Sequence, residues 1–232
     1  MPTSLPGSAL QDAALSSALS TIFRGKLCDT LFLNRAPVTF AKGSVIYDPG
    51  DSRRTFFFVR RGVVKIGALI DEGREVIYDV RKEGDVVGEL CALDMSRRDY
   101  AVALEPTDVI VVPYADILDV LQRNRVALQE VMDLVCRSLA AAYDQVNLLS
   151  SGGTVDRLVK LLLRLARQLG RAAGDKVQVD TYLTQEELSQ MIASSREKVS
   201  VAMNLLRARG LVQYSRRGHL LLDQSALENW SA

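Results

Sequence analysis

The chain has 232 residues, 48% hydrophobic and 25% charged, a composition that specifies a folded globular protein with room for one large domain or two small ones. No stretch approaches the ~18 uninterrupted apolar residues that cross a bilayer, and Met1 to Ser20 lacks a basic segment leading into an apolar run, so a cytoplasmic protein without a membrane partner is expected. Three scattered cysteines (Cys28, Cys91, Cys136) and a single histidine (His219) support neither a disulfide framework nor a metal centre, and the net charge of +1 is uneven, with 12 Lys/Arg against 8 Asp/Glu in residues 154–232 and 17 against 20 before them.

Between Pro37 and Pro113 the sequence runs in short β-rich stretches: Val38–Phe40, Thr55–Val59, Val63–Ile66, Glu75–Tyr78, Ala101–Leu104 and Val109–Val112. Turn residues separate them at Asp48-Pro49-Gly50-Asp51, Arg61-Gly62, Asp71-Glu72-Gly73 and Glu83-Gly84-Asp85, which predicts an antiparallel barrel or jelly roll over residues 1–113. From Tyr114 to Leu149 the period changes. Leu128, Met132, Val135, Leu139, Ala142, Val146 and Leu149 step alternately by four and three, a heptad seam that predicts a long helix pairing two copies of the chain over residues 114–150. The competing reading is a helix lying on its own barrel.

Ser150-Ser151-Gly152-Gly153 breaks that helix and predicts a hinge. Residues 151–232 then read as a compact helical unit. Thr154 to Arg171 is amphipathic, with Leu158, Leu161, Leu162 and Leu165 on one side and Arg157, Lys160, Arg164 and Arg167 on the other. Val177 to Val179 is a short strand, and Thr184-Gln185-Glu186-Glu187 is a capping box opening a helix through Met191. After a turn at Ala193-Ser194-Ser195, a second helix runs from Arg196 to Arg209 and ends at Gly210. The hairpin Leu211–Leu222 carries Arg216 and Arg217 at its tip. Two helices across a tight turn followed by a β-wing form a winged helix-turn-helix, and the fold class is α+β.

The first turn of the second helix bears Ser195, Arg196, Glu197 and Lys198, the part that enters a major groove in such units. Arginine can fork to guanine O6 and N7, and glutamate can accept from cytosine N4. Taken singly, these residues also suit an ordinary solvated helix start. The basic tip residues Arg216 and Arg217 suit phosphates.

Leu183-Thr184-Gln185-Glu186-Glu187-Leu188, Ser194-Ser195-Arg196-Glu197-Lys198-Val199-Ser200 and Leu205 to Leu211 closely resemble the helix-turn-helix signature of CRP/FNR regulators, and the likeness extends from Pro37 to the C-terminus. The resemblance implies a dimeric transcription factor bound to a palindromic duplex, with Thr184 and Ser195 to Lys198 at the DNA and Arg196 and Glu197 reading bases. It also makes RNA polymerase a candidate partner. Where the family carries a guanine-reading arginine this chain has Val201, suited instead to a thymine methyl, and Ser200 falls where the FNR branch uses a serine for readout.

Gly88-Glu89-Leu90 followed by Arg98 resembles the phosphate-binding cassette of cyclic-nucleotide domains. The resemblance implies that Glu89 accepts from a ribose hydroxyl and Arg98 pairs with a phosphate. Asp99 replaces the usual Ser/Thr and would repel a cyclic phosphate, yet with Arg97 or Arg98 it could read a guanine edge. Of the family's adenine contacts on the pairing helix, Ala142 cannot hydrogen-bond, whereas Tyr143 can stack on a base. Cyclic di-GMP, cGMP and cAMP are therefore all open as effectors, as are a non-nucleotide effector and none. No nucleophile–base set, Walker loop or HExxH motif points to an enzyme. A nucleotide-binding effector without DNA binding is the remaining alternative.

Overall fold

The computed structural model describes residues 31–70, 73–93, 97–215 and 219–230. Cys28 and the wing-tip residues Arg216 and Arg217 lie outside them. Eight strands form the first unit: β1 (Val38–Phe40), β2 (Val45–Tyr47), β3 (Thr55–Arg61), β4 (Val63–Leu69), β5 (Glu75–Lys82), β6 (Val86–Val87), β7 (Tyr100–Ala103) and β8 (Thr107–Pro113). They make two four-stranded antiparallel sheets in the orders β1-β8-β3-β6 and β2-β7-β4-β5, so the unit is a jelly-roll-like sandwich rather than a closed barrel. β2 and β6, of three and two residues, escape sequence reading.

The run Thr55 to Val59 is apolar on both sides because both faces of its sheet are covered. Phe57 and Val59 point into the sandwich with Tyr47, Val64, Ile66 and Val109. Phe56 and Phe58 point the other way, onto Ile117 and Ala127 of the helices that follow. Those helices are α1 (Tyr114–Arg123) and α2 (Arg125–Leu149). The single helix expected here is divided at Asn124, which is extended and accepts from the backbone N–H groups of Val126 (3.1 Å) and Ala127 (3.2 Å). A side chain that caps two orphan donors outcompetes continuation of the helix.

The C-terminal unit comprises α3 (Thr154–Leu169), β9 (Gly170–Ala173), β10 (Lys176–Val179), α4 (Gln185–Met191), α5 (Arg196–Ala208), β11 (Val212–Tyr214), β12 (Leu220–Leu222) and α6 (Gln224–Glu228). Its sheet has the order β11-β12-β10-β9. Leu158, Leu161, Leu162 and Leu165 of α3 are fully buried against Leu188, Met191, Val199, Met203 and Leu206, as the amphipathic pattern requires. The same cluster includes Val63, Ile77, Val80 and Leu104, so this core is continuous with the outer side of the β4–β5 sheet. Polar contacts accompany it. Lys65 pairs with Glu75 (3.3 Å) and Glu187 (3.7 Å), and Gln190 donates to Glu75 (2.9 Å).

Candidate nucleic-acid interface and effector site

The helix-turn-helix is built from local chemistry. Thr184 Oγ1 accepts from the Glu187 N–H (3.1 Å), and Glu187 Oε2 accepts in return from the Thr184 N–H (2.9 Å), fixing the start of α4. The Thr184 hydroxyl is thereby given a capping role. In the turn, Ala193 takes a left-handed conformation (φ 48°), and Ser194 N–H reaches back to Ser189 O (3.0 Å). Ser195 then caps α5, its Oγ accepting from Lys198 N–H (3.4 Å).

Helix α5 buries Val199, Ala202, Met203 and Leu206 and turns the rest outward. Arg196, Glu197 and Lys198 are exposed on its first turn, Val201 is 70% exposed, and Ser200 is half-buried. The Glu197 carboxyl is held below the usual range by its own backbone N–H, the Ser195 hydroxyl and Arg196, so it is an anion able only to accept. Asn204 and Arg207 extend the stripe and escaped sequence reading; their spacing of eight and eleven residues from Arg196 carried the signal. Arg207 also lies over the Tyr214 ring at the start of the wing (5.5 Å).

On α2, Leu128, Met132, Val135, Leu139 and Val146 are between 45% and 59% exposed. Ala142 is exposed and Leu149 half-buried. Ala127, Gln145 and Leu148 form the buried side, with Val131 and Leu134 partly covered. The helix thus has two apolar sides. One lies on its own chain, and the seam faces away from it.

The cassette region is a network of buried charges. Gly88 is left-handed (φ 85°), and a Cβ there would meet the Arg97 guanidinium at 2.8 Å, so this close approach needs glycine. Arg97 points inward. Its Nη1 donates to Gly88 O (2.8 Å), Nη2 to Thr55 O (2.5 Å), and the guanidinium lies over the Tyr47 ring (4.2 Å). Asp99 also points inward and accepts from the Tyr47 hydroxyl (2.7 Å). Burial, with the negative charge of Asp99 added, pushes the Tyr47 phenol far up, so the hydroxyl keeps its proton.

Arg98, between them, faces outward and is exposed. Glu89 opens a short 3₁₀ turn (Glu89–Ala92), and burial pushes its carboxyl up against the pull of Arg81 (3.8 Å). Arg81 is shared with Asp79. Leu90 and Tyr143 are 48% and 62% exposed. Glu89 is thus held by Arg81 and Arg97 by backbone carbonyls, while Arg98, the arginine the resemblance assigns to a phosphate, stands exposed. Arg97 Nε and Asp99 Oδ1, a donor and an acceptor, are buried without a partner among the described residues. No group of three or more His, Cys, Asp or Glu able to hold a metal occurs among them either.

Residues 37–124 match the family described as cyclic nucleotide-binding domain, and residues 156–230 match the Crp-like helix-turn-helix domain. The chain belongs to the CRP/FNR superfamily of transcriptional regulators. The CRP-like cAMP-activated global transcriptional regulator of Mycobacterium tuberculosis is 28% identical over 193 residues, covering 82% of this chain and 86% of that one. A CRP-family transcriptional regulator of known structure from Thermus thermophilus is 27% identical, with a TM-score of 0.71 over 83% of this chain and 95% of its own. The c-di-GMP responsive global regulator of Xanthomonas campestris shares the fold at 20% identity, with a TM-score of 0.71 over 84% of this chain and 97% of its own. As a CRP/FNR-type regulator, the chain carries its DNA-binding unit in the segment where the exposed polar stripe of α5 lies.

Proposed function

We propose that this CRP/FNR-type regulator acts as a homodimer that places the two copies of α5 in successive major grooves of a palindromic duplex, under the control of a nucleotide effector. Residues 1–113 serve as the sensor, 114–150 as the pairing helix and 151–232 as the DNA-binding unit. The observation that carries this reading is the seam of α2: five large apolar side chains, each about half exposed, at heptad spacing on a helix whose other side is already packed. Ser195, Arg196, Glu197 and Lys198 meet the base edges, with Ser200 and Val201 one turn further on and Arg216 and Arg217 on flanking phosphates.

For the effector, the relatives named above include one activated by cAMP and one responsive to cyclic di-GMP. The charges of the cassette bear on the choice between them. Arg97 is committed to carbonyls, Asp99 to Tyr47, and Glu89 to Arg81, which leaves the outward-facing Arg98 as the cassette arginine available to a phosphate. Asp99 in place of the usual Ser/Thr takes a hydroxyl donor away from that phosphate, and its Oδ1 and the Arg97 Nε, both without a partner among the described residues, suit the donor and acceptor edge of guanine, which favours cyclic di-GMP or cGMP over cAMP. A regulator with a non-nucleotide effector is the second reading, supported by the unpartnered Arg97 Nε and Asp99 Oδ1, which suit a small polar group. RNA polymerase is the protein partner a promoter-bound regulator would meet, and the setting is cytoplasmic.

Titration of labelled duplexes at several salt concentrations, alongside sedimentation, tests the main reading. The expected result is a dimer at low micromolar concentration with sequence-selective, salt-dependent binding. A monomer that binds every duplex equally would refute it.

A further inference from the structure

A cleft of about 610 Å³ opens between the end of β5, the start of β6, α2 and α3. That is within the roughly 300–1,000 Å³ of small-molecule sites. Val80, Val86, Leu134, Leu148 and Leu163 provide an apolar floor. Along α3, Lys160, Arg164 and Arg167 follow one another at spacings of four and three, so all three cations stand on one wall. Arg137 of α2 lies on the opposite wall with two acceptors, Asp144 and Asn147.

Arg164 is the informative residue. Its Nη1 donates to Gln145 Oε1 (2.6 Å), and Gln145 Nε2 donates in turn to Met191 O (2.8 Å) at the end of α4. Its Nε is buried with no partner, and so is Oε1 of the neighbouring Gln168. Burial lowers the Arg164 guanidinium from its ordinary value, against the nearby charges of Asp79 and Asp144, yet it ion-pairs with no carboxylate among the described residues. Lys160 likewise has no ion pair there and rests on Ser151 Oγ (2.5 Å) in the link between α2 and α3. A half-buried guanidinium with an unfilled donor and an apolar floor beneath it is costly unless an anion completes the site.

We propose that this cleft takes a purine nucleotide phosphodiester, with Lys160 and Arg164 on a phosphate, the base on the Val80–Leu134–Leu148 floor, and Asp144 or Asn147 accepting from its edge. The proposal deepens the effector-controlled reading above and rests on it. Its ligand would touch α2 and α3 on either side of the Ser150–Gly153 link and, through Arg164 and Gln145, the backbone at the end of α4. Binding that differs between two arrangements of these helices shifts the helix-turn-helix relative to the sensor. Arg81 lines the same cleft and pairs with Glu89, which couples the cleft to the cassette.

The test is calorimetric titration of the full chain with cyclic di-GMP, cAMP and inorganic pyrophosphate. At least one nucleotide should bind, and pyrophosphate, which has charge but no base, should bind at least tenfold more weakly. Lys160→Ala should weaken the nucleotide about tenfold and Arg164→Gln should abolish measurable binding. Lys160 is exposed, so its variant keeps the test decisive if Arg164→Gln does not fold. Nucleotide affinity unchanged in Lys160→Ala but lost in Arg98→Ala would move the site to the cassette and overturn the cleft while leaving effector control intact. Binding by none of the three probes would overturn the ligand class. Cleft-dependent binding that leaves operator affinity unchanged would uphold the site and refute the effector-controlled reading.

Discussion

The helix-turn-helix and the sensor sandwich are stabilised by opposite strategies. At the starts of α4 and α5 the caps are local, Thr184 bonding three residues away and Ser195 capping its own helix, and Arg196, Glu197 and Lys198 are exposed, while further along α4 Glu187 and Gln190 reach the sandwich at Lys65 and Glu75. In the sandwich the polar groups are buried and joined over long sequence separations, as in Arg97 with Thr55 and Tyr47 with Asp99. A surface that must meet a polyanion keeps its donors available. An interior that must hold charges satisfies them internally, because an unpaired buried charge costs several kcal/mol. Substitutions in the two regions should accordingly fail in different ways, affecting affinity in one and stability in the other.

The largest expected effect lies between the two regions. Leu139→Glu or Val135→Glu sets like charges face to face across the seam, and sedimentation should show monomers at low micromolar concentration with loss of cooperative operator binding. A variant that remains dimeric places the interface elsewhere. Next, Arg97→Ala removes the guanidinium donor from Thr55 O and from Gly88 O, which keeps the Cys91 N–H (3.1 Å), and takes away the partner stacked on Tyr47. It should destabilise the sandwich by about 2–4 kcal/mol in a denaturant titration. An equal loss in Arg98→Ala, at an exposed side chain, would contradict that assignment.

A smaller effect concerns pH. Burial raises the Glu75 carboxyl, but hydrogen bonds from Tyr100, Lys65 and Gln190 and the Lys65 charge outweigh it and hold the group below its ordinary value of 4.5. The unfolded chain therefore takes up this proton first. The stabilisation is fully present above the ordinary value and is lost as the pH falls through the depressed one. Glu75→Gln should flatten the acid limb of the stability curve; an unchanged limb means another carboxylate controls it. Smallest of all, Ala at Arg216 or Arg217 should weaken every duplex alike and reduce the salt slope by about one unit per lost phosphate contact.

The same contrast explains what the sequence made legible. The capping box at Thr184, the turn before Ser195 and the α5 stripe are encoded within a few residues, and pattern reading recovered them. The heptad row of α2 was equally plain, since Leu128 to Leu149 keeps its period over the whole helix. The break at Asn124 falls in the polar run Gln122-Arg123-Asn124-Arg125, ahead of the first seam residue Leu128, so the heptad period carries no sign of it. The internal contacts of the cassette were not legible, for a physical reason. Arg97, Arg98 and Asp99 alternate across an extended segment, so which arginine faces inward depends on register, and register was fixed by distant partners at Thr55 and Tyr47. The bond from the Tyr47 hydroxyl to Asp99 joins residues 52 apart, a separation at which a local pattern carries no signal. The α2–α3 cleft had no sequence signal beyond the basic row on α3, because its other wall comes from a separate helix and a strand.

The central claim, that α5 reads base edges, is tested most directly by selecting preferred duplexes from a random pool with the parent and with Arg196→Ala and Glu197→Ala in parallel. The parent should return a palindromic consensus, with half-sites about one helical turn apart. Each variant should lose selectivity at one position per half-site, at a cost of about 1–3 kcal/mol. If both variants return the parent's consensus at the parent's affinity, α5 is not the reading helix.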